Sequence, residues 1–507
     1  MGQFPLPHAV TDIQCGNELE YNDLVEIKVK YGKRATIAQL LATIVQSLLL
    51  VNVGMELAMA TVVIGSLYKN PNAEFHLSDN ESSWYGSILY LCQPIGSCLS
   101  GYAQKRFGKK SCVVLACVPS IFGWMLLWYA NSVTMLYWST ITMGMGLGFT
   151  DGPAYSYIGE ICEPRLRGIM SCVINMACLI GVLSSYGLSY VFQWKTVAAV
   201  SALCPVLCLT LVTFIPESPI WLLSKGKNEK AMKAICWLRG WVDPHVAANE
   251  YQDLMFYYKA SLDKSKTIRE SKGTFSSFLW IKSPSVYRPL RLVTIYYIFT
   301  LISCLTPCRP YIVKLMYESG VKDTHSIALV LYGFMQLAGS IGLTLTVRKI
   351  GKRMLTLSTL GINTLAIFLF AVYFVCIKNK LISSEAYVPM ILYSIIMFSG
   401  AMGMLTVPWT LVSEIYPNEA KGFASSLTTA IFYVLTFSAT KIYLSVETTL
   451  GLNNTFFMMA GSSFVGFVYL YRNMPETENK TLMEIEEFFV PQNDQTSSEV
   501  SPGPRAV

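Results

Sequence analysis

Five ionisable side chains stand inside otherwise apolar stretches of the sequence: Glu56, Asp151, Arg309, Lys314 and Lys441. A charge at the centre of a bilayer costs roughly 2.5–3.5 kcal/mol even on lenient scales, so each should face a partner or a water-filled cavity. Groups so placed can pair, move protons or bind a solute. Glu56, in LVNVGMELAMATVV, is the sharpest case. Lys314 and Lys441 lie nearer the ends of their stretches, where a long stem can carry the ammonium out to the interface.

A second set of charges occurs twice. SYIGEICEPRLRG places Glu160 seven residues before Arg167, and TLVSEIYPNEAKG places Glu414 seven residues before Lys421. The basic turn RFGKK, with Arg106, Gly108 and Lys109, recurs as KIGKR, with Gly351 and Lys352. PESP, with Glu217, recurs as PET, with Glu476. Each echo follows its first occurrence by about 250 residues, the mark of a duplicated chain. Carboxylates at such turns can pair with the basic turn of their own half and so bias a two-state equilibrium. A partly solvated pair is worth only about 0–1 kcal/mol, so a latch of this kind has to act as a network. Duplication in so apolar a chain points to a carrier whose halves rock around a shared site.

The elements that must hold these residues are membrane spans. The 507 residues are 53% hydrophobic and 14% charged, with a mean hydropathy of +0.43, unlike an ordinary soluble protein. Apolar stretches long enough to cross a hydrocarbon core of roughly 30 Å are predicted at 38–66, 84–103, 111–130, 134–157, 168–191 and 196–215. They resume at 290–317, 325–346, 354–376, 387–411, 423–445 and 455–472. The expected organisation is an N-terminal segment (1–35), a six-helix bundle (36–215), short amphipathic linker helices (216–287), a second six-helix bundle (288–473) and a C-terminal tail (474–507). In the linker, Asp243-Pro244 reads as a helix N-cap and first helical position. No cleavable signal peptide is expected, because the first 35 residues are polar and mixed in charge.

Lysine and arginine crowd one set of loops, Lys105 to Lys110, Arg165, Arg167, Lys225 to Arg239 and Arg348 to Arg353. That asymmetry places both termini in the cytosol of a multi-pass cell-membrane protein. It also accounts for the net charge of +7 without a nucleic-acid partner. Sequons at Asn80 and Asn453 fall on the opposite side and are candidate glycosylation sites, whereas Asn479 falls on the cytosolic side and should go unused. The fourteen cysteines lie mostly inside spans, where they read as small packing residues; Cys304 and Cys308, on one helix face, only mimic a metal pair. The sequence carries no nucleophile–base set, phosphate loop or metal cluster, so an enzyme, a metal and a cofactor are not expected. The expected partners are a small solute and the lipid bilayer, with no obligate protein partner.

These strings resemble the sugar porter family of the major facilitator superfamily: RFGKK, EICEPRLRG and PESPIWLLSKGK, then KIGKR, VPWTLVSEIYPNEAKG and PETENKTLMEIEEF. Within it, ESSWYGSIL, AICWLRGW and KGFASSLTTAIFYVLTFSATKIY look most like the facilitative trehalose transporters of insects. The resemblance implies an all-α fold of twelve transmembrane helices in two pseudo-symmetric bundles. It also implies facilitative transport of a sugar, trehalose or a hexose, by alternating access. Arg106, Gly108, Lys109, Glu160, Arg167, Glu217, Gly351, Lys352, Glu414, Lys421 and Glu476 would form the gating latch.

The chain departs from the family pattern at the solute. Where the family carries two glutamines and an asparagine in span seven, this chain has Thr300, Leu301 and Thr306. Asn175 and Gln336 replace its glutamine in span five and asparagine in span eight, while Pro408-Trp409 survive in span ten. Glu56, Asn175, Thr300, Thr306, Gln336 and Trp409 are therefore the candidate solute contacts. Glu56 stands where proton-coupled relatives carry an aspartate, and the arginine that would pair with it is Thr140 here. Spans one and seven are pseudo-equivalent, so Glu56 and Arg309 form a candidate coupling pair. A proton-coupled or non-sugar carrier, or a transport-inactive sensor, remains an alternative, because a site built on hydrogen bonds discriminates through them.

Overall fold

The structure is a computed structural model that describes residues 32–70, 74–256, 258–259, 284–321, 325–381, 387–416, 421–478 and 488–489. Among them there is no strand, only an isolated bridge between Tyr68 and Leu77. The first six long helices are α1 (Lys33–Leu67), α2 (Asp79–Phe107), α3 (Lys109–Trp128), α4 (Val133–Ile161), α5 (Pro164–Val191) and α6, broken into Trp194–Ser201 and Leu203–Leu211. The second six are α7 (Pro284–Ser303, a 3-10 turn Thr306–Tyr311 and Ile312–Glu318), α8 (His325–Ile350), α9 (Lys352–Lys378), α10 (Tyr387–Ser399, a π turn Gly400–Met404 and Val407–Glu414), α11 (Lys421–Leu450) and α12 (Leu452–Asn473). Among the described residues, nine of these helical stretches are long and apolar enough to cross a membrane by length and composition. The chain is an all-α membrane protein, with twelve long helices among the described residues.

Helices run past the apolar windows where local chemistry extends them. Ser78 accepts from the Glu81 amide while the Glu81 carboxylate accepts from the Ser78 amide, a reciprocal capping box that starts α2 five residues before its predicted span. Small residues then let helices close on one another. A Cβ at Gly54 of α1 would run into the Cys178 carbonyl of α5, and one at Gly181 of α5 into the Val51 carbonyl of α1. Such backbone approach is how helices associate where lipid removes the hydrophobic drive.

The predicted continuous span seven is broken instead. Leu305 takes a left-handed conformation (φ 49°) and a 3-10 turn follows from Thr306. Pro307 and Pro310 explain the break, since each lacks an amide hydrogen and crowds the preceding turn. In α10 the π turn ends where Thr406 gives its hydroxyl to the Ala401 carbonyl at 3.1 Å.

The described part of the segment after α6 docks on the first six helices. Arg239 donates to the Ile161 carbonyl at 3.1 Å and pairs with Glu250 at 2.5 Å, and Gln39 of α1 donates to the Leu238 carbonyl. The expected helix Asn228–Leu238 is present. Asp243-Pro244 opens a turn instead of a helix, with the Val246 amide on the Asp243 carbonyl at 3.0 Å; the next helical residues begin at 248. The predicted N-terminal segment up to residue 31, much of 257–283, Asn479 and the tail from 490 lie outside the described residues.

Candidate functional site

At the end of the molecule that carries the basic loops, each half builds the same latch. Gly108 and Gly351 adopt φ of +95° and +86°, a region that glycine enters without steric cost. A Cβ at either position would meet an acid: Glu217 at Gly108 and Glu476 at Gly351. Glu217 accepts from the Lys109 and Lys110 amides at 2.9 and 3.1 Å, and Glu476 from the Lys352 and Arg353 amides at 3.0 Å each. Both carboxylates thereby cap the unsatisfied amides opening α3 and α9, where the helix dipole favours negative charge. The lysine after each glycine then reaches a second acid. Lys109 pairs with Glu160, which also takes the Ser218 hydroxyl; Lys352 pairs with Glu414 at 2.6 Å and Glu478 at 3.2 Å.

The predicted latch residue Arg106 stands apart, exposed and bonded to the Tyr102 hydroxyl at 3.1 Å. The side chains of Arg167 and Lys421 lie outside the described residues. Ser218, which the doubled spacing does not flag, completes the N-terminal copy.

The halves meet mostly toward the other end. Thr61 of α1 donates to the Arg309 carbonyl at 2.8 Å, Ser83 of α2 to the Lys441 carbonyl at 2.7 Å, and Tyr311 to the Ser82 carbonyl at 3.4 Å. Lys441 lies 4.1 Å from the Trp84 ring centroid and donates to Asn80. Lys314 pairs with Glu447 at 2.6 Å inside the second half and sits over the Tyr68 ring of the first. Nearer mid-depth, Tyr433 of α11 donates to the Asp151 carboxylate of α4.

Around that last bond the walls belong to a cleft. Tyr155, beside Asp151 and bonded to Asn175 at 2.8 Å, is 45% exposed although it sits among α4, α5 and α11. Trp409, 38% exposed, packs on Phe432 and Tyr297 with ring centroids 5.0 and 5.6 Å apart.

Residues 38–489 match the sequence profile described as "Sugar (and other) transporter". The chain belongs to this family. The transporter is 25% identical over 457 residues to the facilitated trehalose transporter Tret1 of Culex quinquefasciatus, covering 89% of this chain and 86% of that protein. It is 26% identical over 460 residues to human solute carrier family 2, facilitated glucose transporter member 6, covering 86% and 88%. Its fold is similar to the partially occluded, inward-open xylose transporter XylE of E. coli, with a TM-score of 0.69 at 19% identity over 87% of this chain and 99% of that one. It is a transporter, not an enzyme.

In this transporter the six candidate solute residues do not converge. Asn175 and Trp409 reach the cleft. Thr300 is buried and gives its hydroxyl to the Met404 carbonyl at 3.1 Å, so it closes the α7–α10 contact. Thr306 is buried with its hydroxyl unpartnered, and Gln336 is buried at 5% exposure. Glu56 is also buried, its Oε1 accepting from Asn52 at 2.9 Å, while Trp124 donates to Asn52 at 2.8 Å and Ser120 lies beside the acid.

The candidate pair Glu56–Arg309 is not brought together. Five residues separate Glu56 from Thr61, which touches Arg309, and at about 100° per residue that turns the acid some 140° away, into the first bundle. Asn80 is exposed in the first turn of α2, and Asn453 partly exposed in that of α12.

Proposed function

We propose that this transporter moves a small solute of the sugar class, trehalose or a hexose among the candidates, across the cell membrane by alternating access. The basic loops and both termini lie in the cytosol, residues 36–215 and 288–473 act as two rocking bodies, and residues 216–287 lie against the cytosolic ends. The observation that carries the reading is the matched latch: one glycine, one capping acid and one lysine–acid pair in each half, flanking a cleft with wall residues from both. Both partners of each pair belong to the same half, so rocking leaves them intact. Their work is to keep each bundle rigid, so that motion concentrates at the cleft. Contacts between halves near Ser83, Trp84 and Lys441 support a conformer closed outside and open to the cytosol.

The burial of Glu56 away from the cleft favours facilitative over proton-driven transport. Uptake of labelled trehalose and glucose into proteoliposomes, each with and without a pH gradient, tests this. Sugar uptake without a gradient is the expected result. Accumulation only against an imposed proton gradient would select the coupled reading, and no uptake of any solute by correctly inserted protein would reject transport.

A further inference from the structure

Arg309 is a cation without a counter-ion. It sits in the 3-10 turn that breaks α7, at the level where Thr61 of the other half binds its carbonyl. Among the described residues no carboxylate lies within ion-pair distance of its guanidinium, and no described hydroxyl or carbonyl takes a hydrogen bond from it. Its electrostatic neighbours are Tyr90 and Tyr186 from the first half, Tyr393 from the second, and Cys178. The Tyr393 hydroxyl is itself buried and unpartnered. Cys178 lies near both Arg309 and Asp151. The Asp151 carboxylate accepts from the Tyr433 hydroxyl and makes no ion pair with Arg309. The other membrane-depth cations are all engaged, Lys314 by Glu447 and Lys441 by Trp84 and Asn80.

Arg309 is partly exposed, and an unpaired guanidinium at this depth is relieved when an anion arrives to share its five donors. Its planar fork matches a carboxylate with two parallel hydrogen bonds, which a neutral hydroxyl cannot offer. The surrounding phenols are suited to hydroxyl groups, and the aromatic wall of Trp409, Phe432 and Tyr297 to the apolar face of a ring. Thr300, at the position of one of the amides expected for a neutral hexose, is already spent on the Met404 carbonyl. We propose that the cargo of this cleft is a small hydroxylated carboxylate of the sugar-acid class, held at its acid group by Arg309. This deepens the transport reading above and rests on it for the direction of passage, but not for binding.

The test is thermal unfolding of the purified full-length protein with glucuronate, glucose or sodium chloride at matched ionic strength. Glucuronate should stabilise the wild type at a concentration roughly tenfold or more below that of glucose, as a charge-assisted bidentate contact requires, and chloride should not. R309Q should abolish the shift and R309K weaken it; Y393F, which keeps the ring, should weaken it too. No glucuronate shift in the wild type, an equal shift with glucose, a shift that chloride reproduces, or one that R309Q retains would each overturn the proposal. The wild-type comparison decides alone if R309Q fails to fold. Counterflow in proteoliposomes separates the two readings. Glucose moving while glucuronate neither moves nor binds rejects the anion and leaves transport standing. Neither moving, with the Arg309-dependent shift intact, rejects transport and leaves the anion site standing.

Discussion

At the residue scale the doubled glycines carry the firmest prediction. Gly108→Ala and Gly351→Ala must each place a Cβ against a capping carboxylate in a backbone region that L-residues avoid. Each should destabilise the purified protein by about 1–3 kcal/mol, and the two costs should be alike. Thermal unfolding of both variants checks this; a cost confined to one half would mean that the latch copies are not equivalent. Glu56 bears a different expectation. Its Oε1 partner, Asn52, sits within the first bundle, so Glu56→Gln keeps the shape and should change stability by no more than about 1 kcal/mol. The pH profile of uptake should be unaltered. A flattened profile would restore Glu56 to a coupling role.

The latch residues were legible in the sequence because spacing repeated in two places constrains geometry twice. The solute contacts were not, because a one-dimensional comparison cannot tell an inward-facing threonine from one that bonds a neighbouring helix, as Thr300 does. The tyrosines around Arg309 come from α2, α5 and α10, and no spacing in the chain links them.

At the element scale, hydropathy located the helices but misjudged their ends and their breaks. Windows of apolar residues report the hydrocarbon core, whereas α2 starts at a polar capping box and α1 at Lys33, both outside that core. The break in α7 was readable from Pro307 and Pro310, but the apolar run around them masked it. That break separates a scaffold segment from Ile312–Glu318, which carries the Lys314–Glu447 pair between α7 and α11. Both side chains are largely buried, at 14% and 6% exposure. Removing one partner leaves an uncompensated charge, so Lys314→Met alone should cost about 3–5 kcal/mol, while Lys314→Met with Glu447→Met should recover most of it. A double mutant no more stable than the single would show that the pair is solvated. The α2–α11 contact makes a separate prediction. Trp84→Ala removes the ring under Lys441 and should loosen the outer closure, raising labelling of a Val313→Cys reporter by an impermeant maleimide. Unchanged labelling would show that this contact does not hold the outer side shut.

At the scale of the whole molecule, the duplicated sequence, the duplicated latch and the contacts gathered at one end describe two stiff bodies and one hinge region. Stiffness comes from pairs internal to each half, while the halves meet through an apolar cluster drawn from both, with Tyr85 and Leu89 of the first and Tyr311 and Ile312 of the second among its members. The most direct measurement is a pair of spin–spin distances in bilayer discs, using labels on unnatural amino acids because the chain has 14 cysteines. One pair joins the basic ends at Phe107 and Ile350, and the other the opposite ends at Tyr129 and Leu381, all exposed positions. On adding solute, the account predicts two populations at each end that exchange in opposite phase, the basic-end distance shortening as the other lengthens. Distances that stay single, or that lengthen together at both ends, would contradict it.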